Sequence, residues 1–223
     1  MPFLLPRPRK TIVATLAALL PAPVLAHPHI FIDTGVELIF NAEGLATGVR
    51  VTWAYDDLYS LTYLAENGFD PDFDGQLTAE EIARLQGFDM NWDAGFAGDS
   101  YAFLGETPLL LSPPKEPTAA LIDGQLTSTH LRSFEQPLAL GGTDFILRVY
   151  DPSYYTAYTI AFPTILTGRE DCTSQAYEPD REAADERLEA ALAEQAGSAD
   201  AETDFPAIGD AYAEEVVVSC PAS

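Results

Sequence analysis

Residues 70–81 (DPDFDGQLTAEE) have the composition and order of the twelve-residue calcium-binding loop of an EF-hand. Ca²⁺ prefers six to eight oxygen ligands, which this type of loop supplies from positions 1, 3, 5, 7 and 12, with glycine at position 6. Gly75 occupies that turn position, where the backbone needs a positive φ. The spacing predicts a Ca²⁺ site with ligands from the side chains of Asp70, Asp72, Asp74 and Glu81 and from the backbone carbonyl of Gln76.

The segments on either side must position this loop. After it, residues 78–86 predict a helix that stops at Gly87. Before it, residues 56–65 have apolar residues at helical spacing, although Gly68 is a poor end for a helix. The sequence has one such loop and only two methionines, whereas a calcium switch opens a groove rich in methionine. We therefore expect a structural calcium clamp rather than a switch.

The histidines, of which the chain has three, form a second possible metal site. His27 and His29 flank Pro28, and on a β-strand their side chains point to the same face as that of Asp33. Imidazole suits Zn²⁺, Cu²⁺, Ni²⁺ or Co²⁺, and His130 is the remaining histidine that can complete the set. Pro28 excludes a square-planar site built on consecutive backbone amides, because proline has no N–H. The alternative is that His29 is an ordinary strand residue.

Residues 1–26 have the three parts of a secretory signal peptide. Basic residues at 7, 9 and 10 precede an apolar run over 11–20, and residues 24–26 (VLA) form a small-residue cleavage site. Cleavage there makes His27 the first residue, so that its α-amino group can chelate a metal together with its imidazole. The apolar run is too short to span a bilayer. The expected product is periplasmic or secreted and has no membrane anchor.

The chain is strongly acidic, with 35 Asp and Glu against 11 Lys and Arg and a net charge of −24. Such a surface repels nucleic acid and anionic lipid and attracts cations. The two cysteines, Cys172 and Cys220, are expected in an oxidising compartment, where a disulfide is the usual outcome. A metal site with thiolate ligands is the alternative, although no histidine or further cysteine lies near either one in the sequence.

The apolar pattern predicts one α+β domain over residues 27–223, an antiparallel β-rich sandwich or curved sheet with the calcium loop as a helical insert. Residues 29–55 predict a β-hairpin, and Asp123-Gly124 is a two-residue hairpin turn. The acidic segment 178–204 predicts a solvated helix and a linker, before a last strand over 212–219. Further strands are predicted over 101–104, 109–111, 118–122, 125–134, 144–150 and 155–162.

Several segments together resemble one family of bacterial periplasmic proteins. They are the start His27-Pro-His29 with Ile-Phe-Ile-Asp33, the central calcium-like loop, the segment Tyr150-Asp-Pro-Ser-Tyr-Tyr155 and the late valine-rich strand that ends at Cys220. That family is of unknown function and is described as the substrate-binding component of an uncharacterised ABC-type transport system, often associated with nickel/cobalt permeases. The resemblance implies periplasmic metal handling beside a membrane metal permease.

Three functions fit these residues. The first is an exported, calcium-stabilised protein that captures or delivers a transition metal through His27 and His29, as an accessory to a membrane permease. The second is a copper enzyme in which an N-terminal histidine forms a brace with another histidine, and the third is a calcium-stabilised interaction module without transition-metal chemistry. No Ser/His/Asp or Cys/His nucleophile arrangement is evident from three histidines and two cysteines expected to be bridged. We therefore favour the first function and assign no catalytic residues.

Overall fold

The computed structural model describes residues 27–72, 74–194 and 205–222. The predicted signal peptide, residues 1–26, therefore lies outside the described residues. So do Phe73, at position 4 of the calcium loop, and the segment 195–204 of the predicted acidic insert.

The described residues form two β-sheets, three α-helices and one 3-10 helix. The fold is α+β, as the sequence predicts, with a helix before the last strand. In chain order the elements are β1 (Ile30–Phe40), β2 (Ala46–Tyr55), α1 (Asp57–Glu66), α2 (Ala79–Leu85), β3 (Ser100–Leu104), β4 (Thr107–Leu109), β5 (Lys115–Ile122), β6 (Gln125–Leu138), β7 (Phe145–Val149), β8 (Thr156–Thr159), β9 (Ile165–Thr167), β10 (Thr173–Tyr177), α3 (Arg181–Glu194), the 3-10 helix (Gly209–Tyr212) and β11 (Glu214–Ser219).

The first sheet is built on the predicted hairpin of β1 and β2. Its strand order is β5-β6-β2-β1-β8, and β9 also pairs with β1. Most neighbours in this sheet are antiparallel, as the sequence predicts, and β8 and β9 run parallel to β1. The chain reaches β8 from β7 of the other sheet, and a strand reached by a crossover is not bound to the antiparallel direction that a tight hairpin imposes.

The second sheet has the order β10-β11-β7-β3-β4, with antiparallel neighbours throughout. Both sheets contribute to one hydrophobic core, in which the rings of Phe134 and Phe145 lie 5.7 Å apart between centroids. Strand side chains alternate between this core and solvent. In β1, Ile32 is buried, whereas Phe31 and Asp33 are exposed.

The calcium loop lies between α1 and α2, in an insert between β2 and β3. Asp56 caps the N-terminus of α1, since its carboxylate accepts a hydrogen bond from the backbone N–H of Tyr59 at 2.8 Å. Thr78 caps the N-terminus of α2 in a capping box with Glu81. Directly after α2, Gln86 Nε2 donates to the carbonyl of Ala119 in the edge strand β5 at 2.8 Å, and its Oε1 accepts from the N–H of the same residue at 2.9 Å. These two bonds fix the insert to the first sheet.

Other sequence expectations have mixed outcomes. Asp123 and Gly124 form the predicted turn, with φ values of 51° and 87°. β9 and β10 were not predicted, because β9 has three residues and every residue of β10 is exposed, so neither has an apolar alternation.

Cys172 and Cys220 form the expected disulfide, with an S–S distance of 2.01 Å, which excludes the thiolate metal site. Among the helices of the described chain, none has the length and apolarity needed to span a membrane.

Candidate metal centres

The predicted calcium loop brings three carboxylates together. One oxygen from each of Asp70, Asp72 and Asp74 lies within 4.8 Å of the others. The two Asp70 oxygens accept hydrogen bonds from the backbone N–H groups of Asp74 and Gly75, both at 3.0 Å. Positive φ angles at Asp70 (49°) and Gly75 (74°) curl the backbone around this group. The arrangement can hold a hard cation, because such cations prefer several oxygen ligands.

Glu81, at loop position 12, is folded back toward position 1. Its Oε1 accepts a hydrogen bond from the N–H of Asp70 at 3.2 Å, and its Oε2 accepts from the N–H and the hydroxyl of Thr78 at 2.8 and 2.7 Å. These bonds, with that from the Thr78 N–H the strongest contribution, lower the pKa of Glu81. An ionised carboxylate therefore lies beside the first residue of the loop. The N–H of Gln76 donates to Asp74 at 2.8 Å, and ligation by the Gln76 carbonyl stays a prediction.

The carboxylates of the loop repel one another. A hydrogen bond from its own backbone acts to lower the pKa of Asp72, but the negative charge of Asp74, some desolvation and the neighbouring Asp70 together raise it above its ordinary value. A cation bound among the three carboxylates would remove this repulsion, since an opposite charge favours the ionised form of each.

His27 and His29 lie side by side where β1 begins. Their ring centroids are 5.0 Å apart and the rings meet at an interplanar angle of 76°. His27 also stacks on Phe205 at 4.0 Å, and His29 stacks on Tyr155 at 4.7 Å. His29 is exposed and His27 is half-buried. Zinc–nitrogen bonds are about 2.0–2.1 Å long, so two imidazoles at this spacing can share one ion after small rotations of the side chains.

A turn on one side holds this histidine pair in place. The backbone N–H of His29 donates to the carbonyl of Tyr155 at 2.8 Å. Tyr155 lies in a turn in which the Asp151 carboxylate accepts hydrogen bonds from the N–H groups of Ser153 at 2.8 Å and Thr156 at 3.0 Å. The segment 150–155 is one of those on which the family resemblance rests. It brings the phenol ring of Tyr155 to the histidines, and the Asp151 carboxylate is used within the turn.

The start of α1 adjoins the pair on the other side. The N–H of Phe31 donates to Asp56 Oδ2 at 2.9 Å, and the N–H of Asp56 donates to the carbonyl of Phe31 at 2.9 Å. Beside this connection lies an open surface depression of about 470 Å³, lined by His29, Phe31, Asp56, Asp57, Leu58 and Gln125. The helix that leads into the calcium loop therefore shares a surface depression with His29.

His130, the third predicted transition-metal ligand, is not part of this site. It lies opposite Val51 in the β2–β6 pair, and Val51 lies opposite Val36 in the β1–β2 pair. Val36 is seven residues along the chain from His29, or about 23 Å at the rise of a β-strand. His29 is exposed, whereas His130 is fully buried in the core. These positions correct the expectation that His130 completes a set with His27 and His29.

The surroundings of His130 are aromatic and basic. Its ring lies 4.6 Å from that of Trp53 and 5.3 Å from that of Trp92, between centroids. Burial, with smaller effects from the charges of Arg132 and Arg50, lowers the pKa of His130 to about 3. The imidazole is therefore neutral at physiological pH. It lies in the core, whereas the sequence predicted that it joins His27 and His29.

Two carboxylates near this region, the half-buried Asp89 and the buried Asp99, were not predicted as functional or core residues. Asp89 Oδ2 accepts hydrogen bonds from the hydroxyls of Tyr55 at 2.9 Å and Ser128 at 2.5 Å. Asp99 accepts one from the hydroxyl of Tyr158 at 2.8 Å, and burial raises its pKa to about 7. Both lie in the Gly- and Asp-rich stretch after α2, whose sequence has no periodic pattern that would mark an inward side chain.

The fold and the two candidate centres define an α+β protein of two sheets, with a carboxylate loop that can hold a metal ion and a histidine pair at the start of its first strand. The chain matches the model of the protein family of unknown function DUF1007 over residues 12–220, and it belongs to that family. Searches of curated proteins and of solved structures gave no match.

Proposed function

We propose that this protein is an exported, calcium-stabilised protein that captures or delivers a transition metal ion at His27 and His29, as an accessory to a membrane metal permease. The observation that carries the proposal is the 5.0 Å separation of the two imidazole rings at the start of β1. Imidazole is a common ligand of Zn²⁺, Ni²⁺, Co²⁺ and Cu²⁺. The exposure of His29 suits an ion that is handed to a partner rather than kept.

Charge and compartment support the same proposal. The net charge of −24 raises the local concentration of cations around the molecule. The disulfide between Cys172 and Cys220 fits an oxidising compartment, such as the periplasm or the extracellular space. Both features suit a protein that collects metal ions outside the cytoplasm.

Calcium has a structural part in this proposal. The loop 70–81 joins α1 to α2, and the first residues of α1 line a depression together with His29. A cation bound by the loop would hold the end of α1 through Asp70, and the start of α1 is tied to β1 through Asp56. Calcium thus stabilises the scaffold beside the histidines without itself being the ion that is handled.

Metal analysis of the processed protein that begins at His27 tests the proposal. The protein is equilibrated with Zn²⁺, Cu²⁺, Ni²⁺ and Co²⁺ with and without Ca²⁺, desalted, and measured by mass spectrometry. We expect one transition metal ion per chain in the wild type and none in His29→Ala. Tyr177→Ala is the matched control, because it removes an exposed ring on β10 of the other sheet and should leave the metal content unchanged.

Two outcomes would replace the proposal. If the wild type binds no transition metal at micromolar concentrations, the calcium-stabilised interaction module is the better description. If one copper ion is bound and supports oxidation of a substrate only when His27 is the first residue, the protein is a copper brace enzyme.

A further inference from the structure

We infer that the carboxylate of Asp57 completes the metal site of His27 and His29 and makes that site selective for divalent over soft monovalent cations. The inference rests on the proposed function, since it names a further ligand of the same site. It is carried by the depression of about 470 Å³ that His29 shares with the first turn of α1.

Two carboxylates line this depression, and their hydrogen bonds distinguish them. Asp56 uses both oxygens for backbone donors, Oδ1 for the N–H of Tyr59 at 2.8 Å and Oδ2 for that of Phe31 at 2.9 Å. Asp57 is exposed at the first position of α1. Among the described residues, no hydrogen bond or ion pair involves the Asp57 carboxylate. It can therefore turn toward the imidazoles without giving up a contact, whereas Asp56 cannot.

The connection between β1 and α1 places Asp57 at the same end of the hairpin as His29. The N–H of Phe31 donates to the Asp56 carboxylate, and the N–H of Asp56 donates to the Phe31 carbonyl, each at 2.9 Å. Asp57 follows Asp56, and His29 precedes Phe31 by two residues, so both lie at the same end of the hairpin. Their shared place in the lining of one depression agrees with this position.

The lining favours a cation and discriminates between kinds of cation. Its remaining residues, Phe31, Leu58 and Gln125, carry no positive charge that would repel a metal ion. Imidazole and carboxylate together suit Zn²⁺, Ni²⁺, Co²⁺ or Cu²⁺, whereas soft ions such as Ag⁺ gain little from a carboxylate oxygen. The contribution of Asp57 should therefore appear for divalent ions alone.

The test compares Asp57→Asn with Glu66→Gln in the processed protein, with Ca²⁺ present. Glu66 is the matched control, because it is an exposed carboxylate at the other end of α1 that does not line the depression. Zn²⁺ and Ag⁺ are titrated into each variant by calorimetry. We expect Asp57→Asn to weaken Zn²⁺ binding about tenfold or more and to leave Ag⁺ binding within about twofold of the wild type. We expect Glu66→Gln to change neither. Asp57→Glu, which retains the charge, should recover most of the Zn²⁺ affinity.

Equal Zn²⁺ affinities in Asp57→Asn and Glu66→Gln overturn the inference and leave the proposed function standing. A wild type that binds neither Zn²⁺ nor Ag⁺ overturns the proposed function itself. A parallel loss of Zn²⁺ and Ag⁺ affinity in Asp57→Asn, with a lower melting temperature, assigns Asp57 to the stability of α1 and also overturns the inference.

Discussion

Asp70 is the residue on which the calcium loop most depends. Its carboxylate accepts hydrogen bonds from Asp74 and Gly75, and its own N–H donates to Glu81. It therefore shapes the loop from which the ligands converge, in addition to supplying one of them. A bound cation would replace mutual repulsion among these carboxylates with attraction.

We expect Asp70→Ala to abolish the stabilisation of the protein by calcium. At Ca²⁺ concentrations about a hundred times the Kd, binding adds about 2.7 kcal/mol to the free energy of unfolding. For a chain of this size the corresponding rise in melting temperature is roughly 5–10 °C. Scanning calorimetry in Ca²⁺ and in chelator measures it. Glu66→Gln, an exposed carboxylate at the end of α1, should keep the full shift. If the melting temperature of the wild type is the same in Ca²⁺ and in chelator, the loop does not stabilise the protein through calcium.

His130 should make the folded protein sensitive to acid. Its pKa of about 3 in the folded state is below the ordinary value of 6.5, so the unfolded chain takes up a proton first as the pH falls. The stability that this residue contributes is present above about pH 6.5 and is lost as the pH falls toward about 3, by about 1.4 kcal/mol per pH unit. Asp99 acts in the opposite sense: with its pKa raised to about 7, its contribution is present at low pH and lost as the pH rises through 7.

A comparison of the wild type with His130→Phe isolates the first effect, because Asp99 is common to both proteins. As the pH falls below 6.5, the wild type should lose about 1.4 kcal/mol of unfolding free energy per pH unit relative to the variant. Urea denaturation at pH 7, 6, 5 and 4 measures this difference. A difference that stays constant over that range would show that His130 is not a neutral, buried imidazole.

At the level of elements, the insert that contains the calcium loop is attached to the first sheet at both ends. Asp56 ties its start to β1, and Gln86 ties its end to Ala119 in β5. The Gln86 amide occupies the N–H and the carbonyl of an edge-strand residue, which would otherwise lack a partner strand. The insert therefore also closes part of the sheet edge.

We expect Gln86→Leu to lower the free energy of unfolding by about 1–3 kcal/mol, since it leaves the backbone groups of Ala119 without these partners. Glu80→Gln, an exposed position of α2, should change it by no more than about 0.5 kcal/mol. Denaturant unfolding of both variants provides the measurement. If the two variants are equally stable, Gln86 does not hold the insert to the sheet.

Elements defined by neighbouring residues were the predictable part of the fold. The β1–β2 hairpin, the turn at Asp123-Gly124 and the helix after Thr78 follow from local alternation, turn residues and capping. The parallel pairing of β8 and β9 with β1 depends on crossovers between sheets, which no local pattern encodes. The candidate sites also differ in whether their residues are neighbours in the sequence. The calcium loop is continuous in sequence, whereas Phe205 reaches His27 from the far end of the chain.

The position of His130 shows why its role could not be read from β6. The buried face of that strand carries Leu126, Ser128, His130, Arg132 and Phe134, so its middle is polar. A polar stripe on a strand ordinarily faces solvent. Here it faces inward, and Ser128 donates a hydrogen bond to the half-buried Asp89, which comes from the stretch after α2. Only the folded arrangement reveals that these polar groups share the core.

At the scale of the whole molecule, the disulfide links the start of β10 to the end of β11 in the second sheet. Cys172 and Cys220 flank the paired residues Thr173 and Ser219 of β10 and β11. The bond closes a loop with a sequence separation of 48 residues, which includes the acidic helix α3.

The Cys172→Ser/Cys220→Ser double variant should lose about 4 kcal/mol of stability in the chain-entropy account. Chemical denaturation of the oxidised wild type and the double variant measures the loss. Both proteins should bind calcium with the same affinity, because the insert with the loop 70–81 is bonded to the first sheet, whereas the disulfide adjoins strands of the second sheet. Undiminished stability of the double variant would contradict this role for the bond.

The central claim is that a transition metal binds at His27 and His29 and not at His130. The chain has only three histidines, so long-range ¹H–¹⁵N spectra of the processed protein can follow each imidazole separately. On addition of one equivalent of Zn²⁺ in the presence of Ca²⁺, we expect the ring nitrogens of His27 and His29 to shift and those of His130 to stay unchanged. Unshifted His27 and His29, or a shift confined to His130, would contradict the claim.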